Sequence, residues 1–310
     1  MRRILVIRYG GLGDLVLSMA AFRTIRAHHP ADHITALTTP RFSDLLAASG
    51  YFDEILIDRR LKPWRLAGWW RLARSLRGRG FARVYDLQRN ERTAILYRVI
   101  GAGRRVEWSG VIRASSHFVP DDPDDRRHIV ERLAEQLAVT GIPAMLPADF
   151  GWLHGDIARF GLPAAYALIV PGGAPHRPEK RAPAASFAGL GRHLLSLGIA
   201  PVLIGTAAER AQIDAIRAGC EGAIDLSDRT GFGDIADLAR HAAGAVGNDT
   251  GAMHLAASVG CPSLVLFSAA SDPRRIAPRG RRVEILASAA LATLDSDRMI
   301  AAWGNLSARS

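Results

Sequence analysis

Cysteine is almost missing from this chain: its 310 residues include two, Cys220 and Cys261. They are too far apart to make a metal-ligand spacing or the dense framework of a small secreted domain, and they are read as reduced core residues of a cytoplasmic protein. Long apolar runs are lacking too. No stretch approaches the roughly 20 residues that would span a bilayer. Arg8 and Asp14 interrupt the apolar start, so residues 3–21 read as a strand and a helix rather than an export signal. Lysine is scarce, with Lys62 and Lys180 the only two among 40 Lys and Arg residues. No Gly-Lys-Ser/Thr follows a glycine loop, which removes a Walker-type nucleotidase. The net charge of +10 would suit an anionic partner. Zinc-finger spacing, an RNP-type aromatic motif and a long basic tail are all wanting, so no nucleic-acid partner is expected.

What is present is a repeated alternation of strand and helix. In the first half, strands are expected at 3–8, 33–38, 53–58, 83–87 and 104–108, with helices near 14–28, 40–49, 64–78, 90–100 and 126–140. Pro143, Pro147, Gly151, Gly155, Gly161 and Pro163 then break the pattern and mark an interdomain region. A second alternation follows, with strands near 166–170, 201–205, 223–226, 244–247, 263–267 and 282–286, helices near 184–197, 207–218, 233–242 and 251–259, and a closing helix at 295–306. This is the pattern of an α/β protein with two doubly wound, Rossmann-like domains, 1–150 and 151–310, and a cleft between them lined by the carboxyl ends of both sheets.

Two strand-loop-helix junctions hold the candidate chemistry. Near the start, Arg3-Ile4-Leu5-Val6-Ile7-Arg8 leads into Gly10-Gly11-Leu12-Gly13 and then Asp14. Near the end, Gly244-Ala245-Val246 leads into Gly247-Asn248-Asp249-Thr250-Gly251 and the helix carrying His254. The second junction, ending in Asp-Thr-Gly before a helix, points backbone N–H groups and a hydroxyl at one spot, as phosphate binding without metal requires. The first loop has only two glycines of a dinucleotide fingerprint, and the second strand ends in Thr38-Thr39 where an acidic ribose partner would be needed, so a nicotinamide enzyme is not expected. Asp122-Pro123-Asp124 and Asp295-Ser296-Asp297 could in principle hold Mg²⁺, but a solvated turn and a helix cap are the stronger readings.

Charge is unevenly placed. Between Arg59 and Arg83 stand nine Lys or Arg residues and no Asp or Glu, with Trp64, Trp69 and Trp70, half of the tryptophans. Leu66, Trp69, Trp70, Ala73 and Leu76 follow helical spacing while Arg71 and Arg74 fall to one side, an amphipathic basic segment suited to an anionic lipid surface or an anionic acceptor.

Together, Gly13-Asp14 after the first strand, Lys180 after the first strand of the second half, Glu209 after Gly205-Thr206, and Asp249-Thr250-Gly251 with His254 resemble glycosyltransferase family 9, the lipopolysaccharide heptosyltransferases, in the same order from Ile4 to about Pro278. The resemblance implies a GT-B architecture and inverting transfer of a sugar from a nucleotide donor, typically ADP-L-glycero-D-manno-heptose, with no other cofactor. The chain departs from the family pattern in two places. Lys180-Arg181-Ala182-Pro183 lacks the usual tryptophan, and Ala252 stands where proline is common.

An inverting transfer needs a base for the acceptor hydroxyl while the diphosphate leaves from the opposite face. Asp14 is the candidate base. Lys180 and the backbone amides near Thr250 and Gly251 are the candidates for holding the leaving diphosphate, which makes a metal unnecessary. Glu209 is placed to accept hydrogen bonds from ribose hydroxyls, and Gly11, Gly13, Gly172 and Gly173 form loops able to approach a ligand closely. By resemblance, Asp249 and His254 contact donor sugar or diphosphate. Arg59, Arg60, Lys62 and Arg65 suit an anionic glycolipid acceptor such as the Kdo–lipid A region. The expected place of work is the cytoplasm, peripheral at the inner face of the bacterial inner membrane. The alternatives are another sugar or acceptor on the same fold, or a nucleotide-sugar-binding protein without transfer activity.

Overall fold

A computed structural model describes residues 1–60, 66–101, 105–122, 124–173 and 177–308. Lys62, Arg65 and Trp64 lie outside the described residues, as does Ala174 at the end of the second glycine loop. The chain divides into two units, Met1–Trp152 and Leu153–Ser310.

The first unit contains, in chain order, β1 (Arg3–Ile7), α1 (Leu12–His28), β2 (His33–Thr38), α2 (Ser43–Ala48), β3 (Glu54–Ile57), α3 (Leu66–Gly78), β4 (Arg83–Asp86), α4 (Glu91–Gly101), β5 (Glu107–Gly110), β6 (His117–Phe118) and α5 (Ile129–Ala138). Its strands form one parallel sheet in the order β3-β2-β1-β4-β5-β6. Central β1 is flanked by β2 and β4, with Val6 opposite both Ala36 and Tyr85. Helices cover both faces of a parallel sheet, which is why Ile4, Leu5, Val6 and Ile7 are all buried and the strand reads as an unbroken apolar run rather than an alternation.

The second unit repeats the plan with β7 (Tyr166–Val170), α6 (Ala184–Ser196), β8 (Ala200–Leu203), α7 (Arg210–Gly219), β9 (Ile224–Asp225), α8 (Phe232–His241), β10 (Gly244–Asn248), α9 (Gly251–Ser258), β11 (Ser263–Ser268), α10 (Pro273–Ile276), β12 (Val283–Ser288) and α11 (Ser296–Ala308). The sheet order is β12-β11-β10-β7-β8-β9, again all parallel. Met299, Trp303 and Leu306 of α11 pack with Phe187, Leu190 and Leu194 of α6, closing one face of this sheet. In each unit the chain runs outward from a central strand in one direction and then in the other. The carboxyl ends of β1 and β4, and of β7 and β10, are therefore topological switch points, where open α/β sheets leave a crevice for ligands.

Several local expectations need correction. The strand expected at 104–108 begins at Glu107, because pairing of Arg83 with Glu107 and burial of Trp108 set its register. Strand β6 pairs through Ser109 and His117 and was not anticipated; two residues give no periodicity to read. Trp69 and Trp70 do not share an apolar face. At 3.6 residues per turn adjacent side chains point about 100° apart, so Trp69 and Leu72 pack on the core around Leu76 while Trp70 is 64% exposed. The Arg74 guanidinium lies 5.5 Å from the centre of the Trp70 ring. The outward face of α3 is thus an indole among Arg71, Arg74 and Arg77.

Candidate active site

At the switch point of the second unit, β10 ends in Asn248, whose fully buried side chain ties three pieces of chain together. Its Nδ2 donates to the carbonyls of Pro171 (2.6 Å) and Gly172 (3.0 Å), and its Oδ1 accepts from the Ala182 amide at 3.0 Å. The loop after β7 and the approach to α6 are thereby pinned to the end of β10. The next residue, Asp249, carries a carboxylate only 8% exposed, between Lys180 Nζ at 3.1 Å and His254 Nε2 at 3.4 Å. Burial pushes the Asp249 carboxyl up, but the His254 hydrogen bond and the Lys180 charge outweigh it and hold the group below its ordinary value. Thr250 follows as the residue before α9, so the first amides of that helix open onto the same end of the sheet. Thr250 Oγ1 and His254 Nδ1 are buried without a hydrogen-bond partner among the described residues.

The glycine loop after β7 is gripped from two sides. A Cβ at Gly172 would sit 2.9 Å from Glu209 Cγ, so only glycine lets that side chain lie against the loop. Glu209 also completes the cap of its own helical turn, its Oε2 accepting from the Thr206 amide (2.8 Å) and hydroxyl (2.6 Å). The capping and ligand readings of Glu209 are therefore compatible, since one carboxylate oxygen is engaged locally and Oε1 lies toward Gly172. Arg181 donates from Nη2 to the Gly173 carbonyl at 2.5 Å.

In the first unit, Asp14 occupies the third position of α1. Its Oδ2 accepts from the Gly11 amide at 2.9 Å, and its Oδ1 meets Arg8 Nη2 at 3.2 Å. The side chain is 55% exposed. Gln88, beyond β4, accepts from the amides of Tyr9 (2.8 Å) and Gly10 (3.2 Å) and so shapes the loop from the neighbouring strand. The strict need for glycine is at Gly10, where φ is +35° and a Cβ would sit 2.6 Å from that of Asp14. Gly11 has no such constraint.

Arg59 and Arg60 are both exposed just beyond β3. Arg60 has φ +49°, and its amide donates to Asp58 Oδ1 at 2.7 Å. Asp58 is buried in a two-pronged pair with Arg92, which lies 4.0 Å over the Trp69 ring. The structure thus brings Lys180, Asp249, His254 and the start of α9 together, sets Glu209 beside Gly172, and sets Asp14 on the loop with Gly10 and Gly11. Sequence reasoning did not single out Arg8, Gln88 or the tie made by Asn248. Arg8 left one signal, a charge at the end of an otherwise apolar strand. Asp122 and Asp295 serve as turn and cap, accepting from the amides of Asp124 (2.9 Å) and Arg298 (2.9 Å). Among the described residues no group of three or more His, Cys, Asp or Glu side chains could hold a metal, and no helix is long and apolar enough to cross a membrane.

This site sits in a chain with many relatives. Residues 69–300 match the model of glycosyltransferase family 9 (heptosyltransferase). Lipopolysaccharide heptosyltransferase 2 of Salmonella typhimurium is 25% identical over 293 residues, covering 87% of this chain and 83% of that protein. A family 9 glycosyltransferase from Veillonella parvula superposes with a TM-score of 0.84 at 21% identity, over 100% of this chain and 98% of the other. The ADP-heptose lipopolysaccharide heptosyltransferase II of E. coli does so with 0.79 at 21%, over 100% and 99%. A second E. coli heptosyltransferase, solved with ADP, gives 0.75 at 19%, over 98% and 99%. These likenesses place the two parallel-sheet units in the GT-B class of folds, and the family match extends over most of the sequence. The chain belongs to glycosyltransferase family 9 and is a glycosyltransferase.

Proposed function

We propose that this enzyme moves a heptose from an ADP-linked donor, ADP-L-glycero-D-manno-heptose, to an anionic lipopolysaccharide core or lipid A-type acceptor, with inversion and without a metal ion. The observation that carries the reading is the buried assembly of Lys180, Asp249 and His254 beside the amino end of α9. A cation held by a carboxylate at a helix amino terminus suits a diphosphate, and the unpartnered Thr250 Oγ1 and His254 Nδ1 offer it further polar contacts. Glu209 and the loop carrying Gly172 and Gly173 suit the nucleoside, and the loop with Gly11 and Gly13 suits the acceptor side of the reaction.

In this mechanism Asp14 takes the proton of the acceptor hydroxyl as its oxygen bonds to the anomeric carbon. The bond from that carbon to the diphosphate breaks on the opposite face, and its electron pair leaves with the phosphate. Lys180 and the first amides of α9 stabilise the charge that builds there. Arg59, Arg60, Lys62 and Arg65 attract the acceptor's acidic groups. Differential scanning with ADP-heptose and with UDP- and GDP-sugars tests the donor. A ligand at a hundred times its Kd adds about 2.7 kcal/mol to the stability of the native state, so ADP-heptose should raise Tm by several degrees and the others should not. A shift confined to a UDP- or GDP-sugar would reassign the donor.

The exposed face of α3 supports work at the inner face of the bacterial inner membrane. A tryptophan flanked by arginines is suited to an anionic lipid surface, where each cation contributes about 1 kcal/mol. Arg71→Glu with Arg74→Glu is expected to reduce co-sedimentation with phosphatidylserine-containing vesicles at least about tenfold at low salt, and to raise the KM for a lipid-linked acceptor. The Kd for donor should stay unchanged. Equal vesicle binding by wild type and the double variant would leave α3 as a solvated helix.

A further inference from the structure

We infer that Arg8 is a positioning residue for transfer, orienting the Asp14 carboxylate from inside the first sheet. The inference rests on the reading of Asp14 as the base. Arg8 follows the last residue of β1 and keeps only 7% of its side chain exposed. Its Nη1 donates to the Leu87 carbonyl at 2.5 Å, across the β1/β4 switch point, and its Nη2 reaches Asp14 O at 3.4 Å and Asp14 Oδ1 at 3.2 Å. With Oδ2 taken by the Gly11 amide, both carboxylate oxygens are held from the protein side while the group keeps an open outer face.

Helix capping alone does not require this arrangement. The Gly11 contact already completes the capping box of α1. Burying a guanidinium costs desolvation, and burial does lower the Arg8 pKa despite the nearby charges of Asp14 and Asp86. An apolar residue would continue the run formed by Ile4 to Ile7 and spare that cost. The cation instead bridges the end of β1, the chain after β4 and the one carboxylate of the loop, fixing Asp14 against three elements at once. Asp86, the other acid facing Arg8, is buried and pushed up to about 6 by burial. It is turned to its own loop, accepting from the amides of Gln88 and Arg89.

The test is a double-mutant cycle with steady-state kinetics at fixed pH. Arg8→Met should lower kcat about a hundredfold, the loss typical of a misplaced catalytic group, with the KM for donor unchanged. Arg8→Lys should recover part of the loss. In an Asp14→Asn background, Arg8→Met should have no further effect. Equal fold-losses from Arg8→Met in the wild-type and Asp14→Asn backgrounds would overturn the inference, as would an Arg8→Met enzyme of wild-type kcat. If Arg8→Met does not fold, the same cycle is run with Arg8→Lys. Wild-type transfer by Asp14→Asn alone would instead remove the base assignment, a different failure with a different signature.

Discussion

Asp14→Asn is expected to lower kcat about a hundred- to ten-thousandfold, the span a positioned general base contributes, while donor affinity stays at the wild-type value. The substitution keeps shape and removes basicity. One of two contacts, to the Gly11 amide or to Arg8, is lost, because the new amide nitrogen cannot accept. At a side chain 55% exposed that loss is modest. About 1 kcal/mol corresponds to roughly 2–4 °C in Tm for a domain of 150–250 residues. Activity and stability therefore separate in this variant. The measurement is single-turnover transfer with saturating donor, beside a melting curve; transfer near the wild-type rate would mean that the base lies elsewhere.

Lys180→Ala is expected to cost about a hundred- to a thousandfold in kcat, the loss typical of one group stabilising charge in a transition state, and wild-type transfer should persist in excess EDTA. Activity abolished by EDTA and restored by Mg²⁺ would reverse the metal-free reading. This variant should also be less stable, since Asp249 is left with His254 alone in a site where both ionic partners are largely buried. The pH dependence follows from the Asp249 carboxyl, which burial pushes up and which His254 and Lys180 pull below its ordinary value. A carboxyl depressed in the folded state stabilises fully above its unfolded pKa, about 3.9, and loses that contribution as pH falls through the folded value. The stability gap between wild type and Lys180→Ala should thus be widest near pH 7 and shrink below about pH 4. A gap independent of pH would show that the lost stability comes from packing and not from the ion pair.

Glu209 shows how two demands meet in one residue. Its contact with Thr206 is the ordinary closure of a helical turn, predictable from three-residue spacing. Its contact with Gly172 depends on β7 and β8 lying side by side, with Ile169 opposite Leu203, which no local pattern encodes. The helix start and the wall of the glycine loop are built from the same side chain.

The sequence by itself determined most of the elements and the two junctions. Strands covered on both faces are continuous apolar runs, as in Leu168 to Val170 and Leu264 to Phe267, and a glycine loop followed by an acid at the first turn of a helix is written within a few residues. Asp14 and the Asp249-Thr250-Gly251 junction were legible for that reason, whereas Lys180 was legible through its place in the family pattern. Only the tertiary structure decided their partners. Lys180 meets Asp249 across 69 residues, Asn248 reaches Pro171 across 77, and Gln88 caps amides 79 and 78 residues away. It also decided that Trp69 turns inward and Trp70 outward, and that Arg8 grips Asp14 from within the sheet. Periodicity and turn chemistry act over one or two turns of chain and so are visible in a linear sequence. Partnership across a switch point depends on sheet order, which is settled only when distant strands pack together to bury their apolar faces.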